Sequence, residues 1–209
     1  MKNKLVPIFA LSALTLTAGP IQAESLVSGS VDAGKAKALT CTACHGSEGN
    51  SSSALWPNIA GQNAPYVEDQ LLAFKNGSRK DPLMSSQAML LSAEDMADLA
   101  AYFESLPPAA QSVADASLVA RGEALYRGGD KVTGAAACIA CHGPTGRGNP
   151  AAKYPALKGQ HAAYTAKQLQ AYSEGTRETD GKTRIMRDIA ARLDKDDIAA
   201  VASYVQGLK

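Results

Sequence analysis

Aromatic residues, cysteines and histidines are all scarce in this chain, and each scarcity narrows what it can be. Three Phe, one Trp and seven Tyr among 209 residues leave little to build an aromatic core. Four cysteines are too few for a disulfide-dense scaffold. A formal net charge of +1, with no cationic stripe, excludes a nucleic-acid-binding surface. Alternating apolar and polar runs of the strand type are missing, which argues against a sheet. One long uncharged stretch that is also mostly apolar exists, Leu5–Ala23, and it stands at the start of the chain. Lys2 and Lys4 precede it, Gly19-Pro20 breaks it, and Ala23 offers a small residue for cleavage before Glu24. That is the layout of a secretory signal peptide over residues 1–23. An uncleaved anchor is the competing reading, because nineteen uncharged residues approach the length of a membrane span. Export would place the mature protein outside the reducing cytosol.

The few cysteines and histidines that do occur are concentrated. Cys41-Thr-Ala-Cys44-His45 and Cys138-Ile-Ala-Cys141-His142 account for all four cysteines and two of the three histidines. C-x-x-C-H is the attachment signature of c-type haem. Two thiols three positions apart on one helical turn suit the two vinyl groups of a haem, and the adjacent imidazole then lies under the iron. A disulfide within each motif would leave both histidines unexplained. Two covalently bound haem c groups are expected, on Cys41/Cys44 and on Cys138/Cys141, with His45 and His142 as axial iron ligands.

The sequence also repeats with a period of 97 to 102 residues. Trp56-Pro57 matches Tyr154-Pro155, Gly61-Gln62 matches Gly159-Gln160, and Tyr66 matches Tyr164. Gln70, Phe74, Gly77 and Arg79 match Gln168, Tyr172, Gly175 and Arg177; Leu91, Asp95 and Tyr102 match Leu193, Asp197 and Tyr204. Such a period is too long for a solenoid unit and reads as two homologous domains. We place them at 24–107 and 117–209, with a linker at 108–116 opened by Pro107-Pro108. Both read as helical. Asp32 is expected to cap the first helix, Gly77 to stop the helix holding Tyr66, Leu71 and Phe74, and Ser92 and Asp194 to start the terminal helices. The fold class is all-α: two tandem domains, each short of apolar residues until a covalent porphyrin completes its core.

A second axial ligand decides between carrier and catalyst. Methionine thioether favours ferrous iron and fills the site. Met186 is the only methionine of the second half. In the first half, register favours Met84: aligning it with Met186 also pairs Ala88, Leu91 and Asp95 with Ala190, Leu193 and Asp197. One clue supports Met89, which follows His45 by 44 residues as Met186 follows His142. Met89 and Met96 read otherwise as helix or core packing, and His161 as a surface residue or local hydrogen-bond former. Charge is divided unevenly: Glu24–Ala110 holds five Lys/Arg against ten Asp/Glu, and Gln111–Lys209 fourteen against ten. The chain is therefore expected to be a dipole along its length.

With CTACHG, the paired GQ motifs, HAAYTAKQLQ and the methionine segments, nearly the whole mature chain resembles the di-haem class I cytochromes of the cytochrome c4 family. The resemblance implies two mitochondrial-type cytochrome c domains facing each other. It supports Met84 and Met186 as ligands and implies a backbone carbonyl at Pro57 and Pro155 on the imidazoles of His45 and His142. It implies a periplasmic electron carrier without substrate chemistry. Its partners would be a quinol–cytochrome c oxidoreductase and a terminal oxidase, or a periplasmic dehydrogenase, and peripheral membrane association is left open. The alternative is a di-haem subunit of a larger oxidoreductase, such as a flavoprotein sulfide dehydrogenase. A di-haem peroxidase would need an open iron site, against which both methionines argue.

Overall fold

The computed structural model describes residues 26–209, so the expected leader at 1–23 lies outside the described residues. Two helical halves follow one another. The first holds α1 (Val31–Lys37), α2 (Leu39–His45), α3 (Ala64–Lys75), α4 (Pro82–Met89) and α5 (Ala93–Ser105). A 3-10 turn at Ala116–Leu118 opens the second half, which continues with α6 (Val119–Gly128), α7 (Ile139–His142), α8 (Ala162–Ser173), α9 (Ile185–Ala190) and α10 (Lys195–Gln206). Among the described residues there are no strands, only isolated bridges at Asp130–Ala135 and Asn149–Tyr154. The all-α expectation holds.

Local chemistry sets most helix ends. Ser92 and Asp95 form a full capping box at α5, and Asp194 accepts from the Asp197 N–H at α10. The first helix differs from expectation. Ser30, not Asp32, is its cap: the Ser30 Oγ accepts from the Ala33 N–H, and Asp32 sits in the first turn, where a carboxylate favours the helix dipole. The Ser30 N–H is itself held by Asp98 Oδ1 at 2.8 Å, so a residue 68 positions away fixes where the helix begins. In α3 the stop spreads over two residues, Asn76 as cap and Gly77 at φ +77°.

In each half the first helix crosses the last at a glycine. A Cβ on Gly34 would stand 2.0 Å from the Asp98 carbonyl oxygen, and one on Gly122 would stand 2.3 Å from that of Ala200. Only glycine admits this approach. Tyr102 and Tyr204 flank the two crossings at equivalent places. Ion pairs close both: Lys37 with Asp95 and Asp98, Arg121 with Asp130 and Asp197.

The buried apolar clusters are small. Leu99, Tyr102, Phe103 and Ala38 form one in the first half; Leu125, Tyr126, Val201, Tyr204, Val205 and Leu208 form that of the second. Leu99, Phe103, Val201 and Val205 also line a cavity of about 1260 Å³ reaching into both halves. The helices thus enclose space where a larger core would stand.

Polar side chains join the halves. Arg79 Nη2 donates to Tyr164 OH and Gln168 Oε1, and Arg177 Nη2 donates to Tyr66 OH and Gln70 Oε1. His161, expected to bond locally if at all, instead donates from Nε2 to the Ser51 carbonyl at 3.0 Å, 110 positions away. The carbonyl can only accept, which fixes the proton on Nε2. Lys153 and Asp69 pair across the halves at 2.8 Å, so these two charges neutralise each other locally.

Candidate cofactor-binding site

The first C-x-x-C-H motif forms most of α2, and the second forms α7 with Cys138 at its cap. Both helices end at the histidine because the next residue is a glycine with positive φ, Gly46 at +82° and Gly143 at +76°. A Cβ on Gly46 would stand 2.1 Å from the Asn50 carbonyl oxygen, so the turn after His45 admits no larger residue.

Cys41, Cys44, His45 and Met84 of the first half, and Cys138, Cys141, His142 and Met186 of the second, all line the 1260 Å³ cavity. That volume exceeds the roughly 300–1,000 Å³ of a usual single-ligand pocket. Met89 is 62 % exposed and Met96 is buried in the core; neither lines the cavity. Met84 is held by its own backbone, its N–H donating to Asp81 Oδ1. Met186 is held through its neighbour. Asp180 accepts from the Arg187 backbone N–H and from its Nε, doing from outside the helix what Asp81 does as a cap.

Both imidazoles are buried and oriented alike. His45 Nδ1 lies 2.9 Å from the Pro57 carbonyl and His142 Nδ1 lies 2.9 Å from that of Pro155, the backbone contact implied by the resemblance. Because a carbonyl only accepts, Nδ1 carries the proton and Nε2 keeps its lone pair. Burial lowers the pKa of both histidines, so each is neutral and ready to donate that pair to a metal.

No disulfide joins any of the four cysteines. Burial raises the pKa of Cys41 and pushes Cys138 up to about 11. Among the described residues, no three His, Cys, Asp or Glu converge as a cage for a metal ion.

Arg79 and Arg177 also line the cavity, 8 % and 6 % exposed. Each stacks on a ring of its own half, Phe74 at 4.5 Å and Tyr172 at 4.6 Å. Their hydrogen-bond partners are neutral, and neither forms an ion pair among the described residues. Two buried cations without an anion are costly. Burial opposes ionisation of Tyr66, yet the charges of Arg177 and Arg79 outweigh it and hold its pKa below the ordinary phenol value. The wall therefore calls for negative charge, and the carboxylates of a haem would supply it. A neutral imidazole with a free lone pair, two thiols, a thioether, apolar walls and a guanidinium fit that group in each half.

In the repeat Arg79 and Arg177 occupy matching places, which marks them as a pair but not as partners across the halves. The repeat likewise pairs Gln62 with Gln160 without a role. The available signal was that both are polar residues recurring at equivalent places where a helix has no need of them.

The family model described as cytochrome c matches residues 31–107 and again 119–209. A protein of Pseudomonas aeruginosa named cytochrome c4 is 47% identical over 198 residues, covering 95% of this chain and 98% of its own. The solved structure of reduced recombinant cytochrome c4 from Pseudomonas stutzeri superposes with a TM-score of 0.85 at 44% identity, covering 87% of this chain and all of that one. A protein of Thiomonas intermedia named thiosulfate dehydrogenase electron acceptor is 37% identical, covering 81% of this chain and 78% of its own.

Proposed function

The chain belongs to the cytochrome c family, and from that membership we propose that it is a periplasmic electron carrier passing electrons between respiratory proteins. It carries two covalently bound haem c groups. Haem iron supplies reversible one-electron chemistry, ferric to ferrous. In this reading Cys41 and Cys44 bind one haem and Cys138 and Cys141 the other. His45 with Met84, and His142 with Met186, would hold the two irons.

The residues divide the remaining work. Pro57 and Pro155 fix the tautomer and plane of each imidazole, so Nε2 needs no reorientation as charge changes on its ligand. Met84 and Met186 would each supply a thioether as the second iron ligand, which would leave no position for oxygen, peroxide or another substrate. Leu99, Phe103, Val201 and Val205 give the cavity apolar walls, which favour the state of lower charge. Arg79 and Arg177 balance the carboxylates that accompany the cofactor. The observation that carries the reading is the convergence of all eight residues proposed to hold the haems, four cysteines and four iron ligands, on one cavity spanning both halves.

A quinol–cytochrome c oxidoreductase as donor and a terminal oxidase as acceptor suit such a carrier. The relative named as an electron acceptor of thiosulfate dehydrogenase favours a periplasmic dehydrogenase as a second donor class. It equally supports the alternative of a di-haem subunit bound to its oxidoreductase. No described helix is long and apolar enough to cross a membrane. The test is carbon monoxide binding to the reduced protein. Saturated His/Met coordination predicts slow, partial binding and negligible peroxide turnover. Fast stoichiometric binding would replace the carrier with a catalyst.

A further inference from the structure

A chain of hydrogen bonds passes from each half to the histidine of the other. Gln62 and Gln160 each follow a glycine at equivalent places in the repeat, and both are buried. Gln62 Oε1 accepts from the Ala156 N–H at 2.7 Å while its Nε2 donates to the Ala156 carbonyl at 2.9 Å. Gln160 reaches the opposite way, its Oε1 accepting from the Asn58 N–H at 3.0 Å and its Nε2 donating to the Asn58 carbonyl at 2.8 Å. Ala156 follows Pro155, and Asn58 follows Pro57. The amide whose N–H meets Gln62 is therefore the same peptide group whose carbonyl meets His142 Nδ1. Likewise, the amide held by Gln160 is the one that meets His45 Nδ1.

Hydrogen bonds in series polarise one another. An amide whose N–H is donated to a good acceptor carries more negative charge on its oxygen. That oxygen then holds Nδ1–H more strongly, and Nε2 becomes a more basic ligand. We propose that Gln62 is a positioning residue for the iron site of His142, and Gln160 for that of His45, each tuning the haem of the opposite half through one peptide group. The proposal rests on His45 and His142 being iron ligands, as argued above. A more basic imidazole stabilises ferric iron, so each glutamine lowers the potential of the haem across the interface. Adhesion between the halves alone would not need each glutamine's Oε1 to meet the N–H of the very peptide whose carbonyl is the histidine's acceptor.

The test uses the intact holoprotein, with the two haems distinguished by their paramagnetically shifted proton resonances during a redox titration. Gln62→Met, which has nearly the same shape but none of the hydrogen bonds to Ala156 or to the Asn63 N–H, should make reduction of the Cys138/Cys141 haem about threefold more favourable. At about 59 mV per tenfold for one electron that is ~28 mV upward. The Cys41/Cys44 haem should move much less, and Gln160→Met should give the mirror pattern. Gln62→Glu keeps the oxygen that meets the Ala156 N–H, and should return the second haem to the wild-type potential or below. Equal shifts at both haems, a shift confined to the glutamine's own half, or no recovery in Gln62→Glu would overturn the relay. Wild-type spectra without histidine ligation would instead defeat the ligand assignment on which it stands.

Discussion

Replacing Arg177 with methionine perturbs the interface at its most charged point, and the structure says which contacts are lost. Gln70 and Gln168 each keep a bond from Arg79, because their Oε1 atoms are shared between the two guanidiniums. Tyr66 loses the Arg177 Nη2 donor that lies 2.9 Å from its hydroxyl and keeps only the neighbouring Arg79. The stacking of the guanidinium 4.6 Å above Tyr172 is lost as well. A hydrogen bond to a charged group contributes about 1.5–3 kcal/mol, and the half-buried position of Tyr66 puts this one at the lower end. The stacking adds about 0.5–1 kcal/mol. Together these amount to roughly 2–3 kcal/mol, or about 4–12 °C in Tm at about 2–4 °C per kcal/mol for a chain of this size. The single variant also removes a buried charge, so a double-mutant cycle with Tyr66→Phe isolates the bond. Equilibrium unfolding followed by haem absorbance should give a coupling of about 1.5 kcal/mol. Loss of a positive charge from the cavity wall should also lower both haem potentials. A coupling under about 0.3 kcal/mol, or a rise in either potential, would refute the account of the arginine pair.

Three further outcomes follow from the same geometry. Met84→Ala and Met186→Ala should each remove about half of the near-infrared sulfur-to-iron band of the ferric protein, by loss of one soft axial ligand from two. Met89→Ala, at a residue 62 % exposed, should leave the band intact and stability within about 0.5 kcal/mol of wild type. Lys37 first and the Ser30 N–H second hold the pKa of Asp98 below the ordinary carboxylate range. A folded pKa below the unfolded one gives stability that is present above about pH 4 and lost as pH falls further, so Asp98→Asn should flatten the acid side of the stability profile in pH-dependent denaturant unfolding.

What can be read from the sequence is what is written locally or written twice. The C-x-x-C-H motifs need only one helical turn, and the capping pairs Ser92/Asp95 and Asp194/Asp197 need only three residues. The register that pairs Met84 with Met186 comes from comparing one half with the other, and both methionines line the cavity. For contacts between the halves, recurrence marks residues such as Gln62/Gln160 and Arg79/Arg177 but not their partners. Gln62 meets a peptide 94 positions away, His161 a carbonyl 110 away, and Arg79 and Arg177 exchange partners across the interface. Periodicity records which face of a helix is buried but not what it is buried against. The cap at Ser30 rather than Asp32 has the same origin, since Asp98 on the last helix of that half anchors the start of the first. Lys153 and Asp69 count toward opposite ends of the expected dipole, yet they pair with each other.

The central claim is two covalent haems on the two cysteine pairs, and the mass of the purified mature protein after acid–acetone extraction tests it most directly. Thioether bonds survive that treatment, so the account predicts a chain beginning near Glu24 that retains two haems, with one lost in a Cys41→Ser, Cys44→Ser variant and the other kept. A mature wild-type chain carrying one haem, or none, would contradict it.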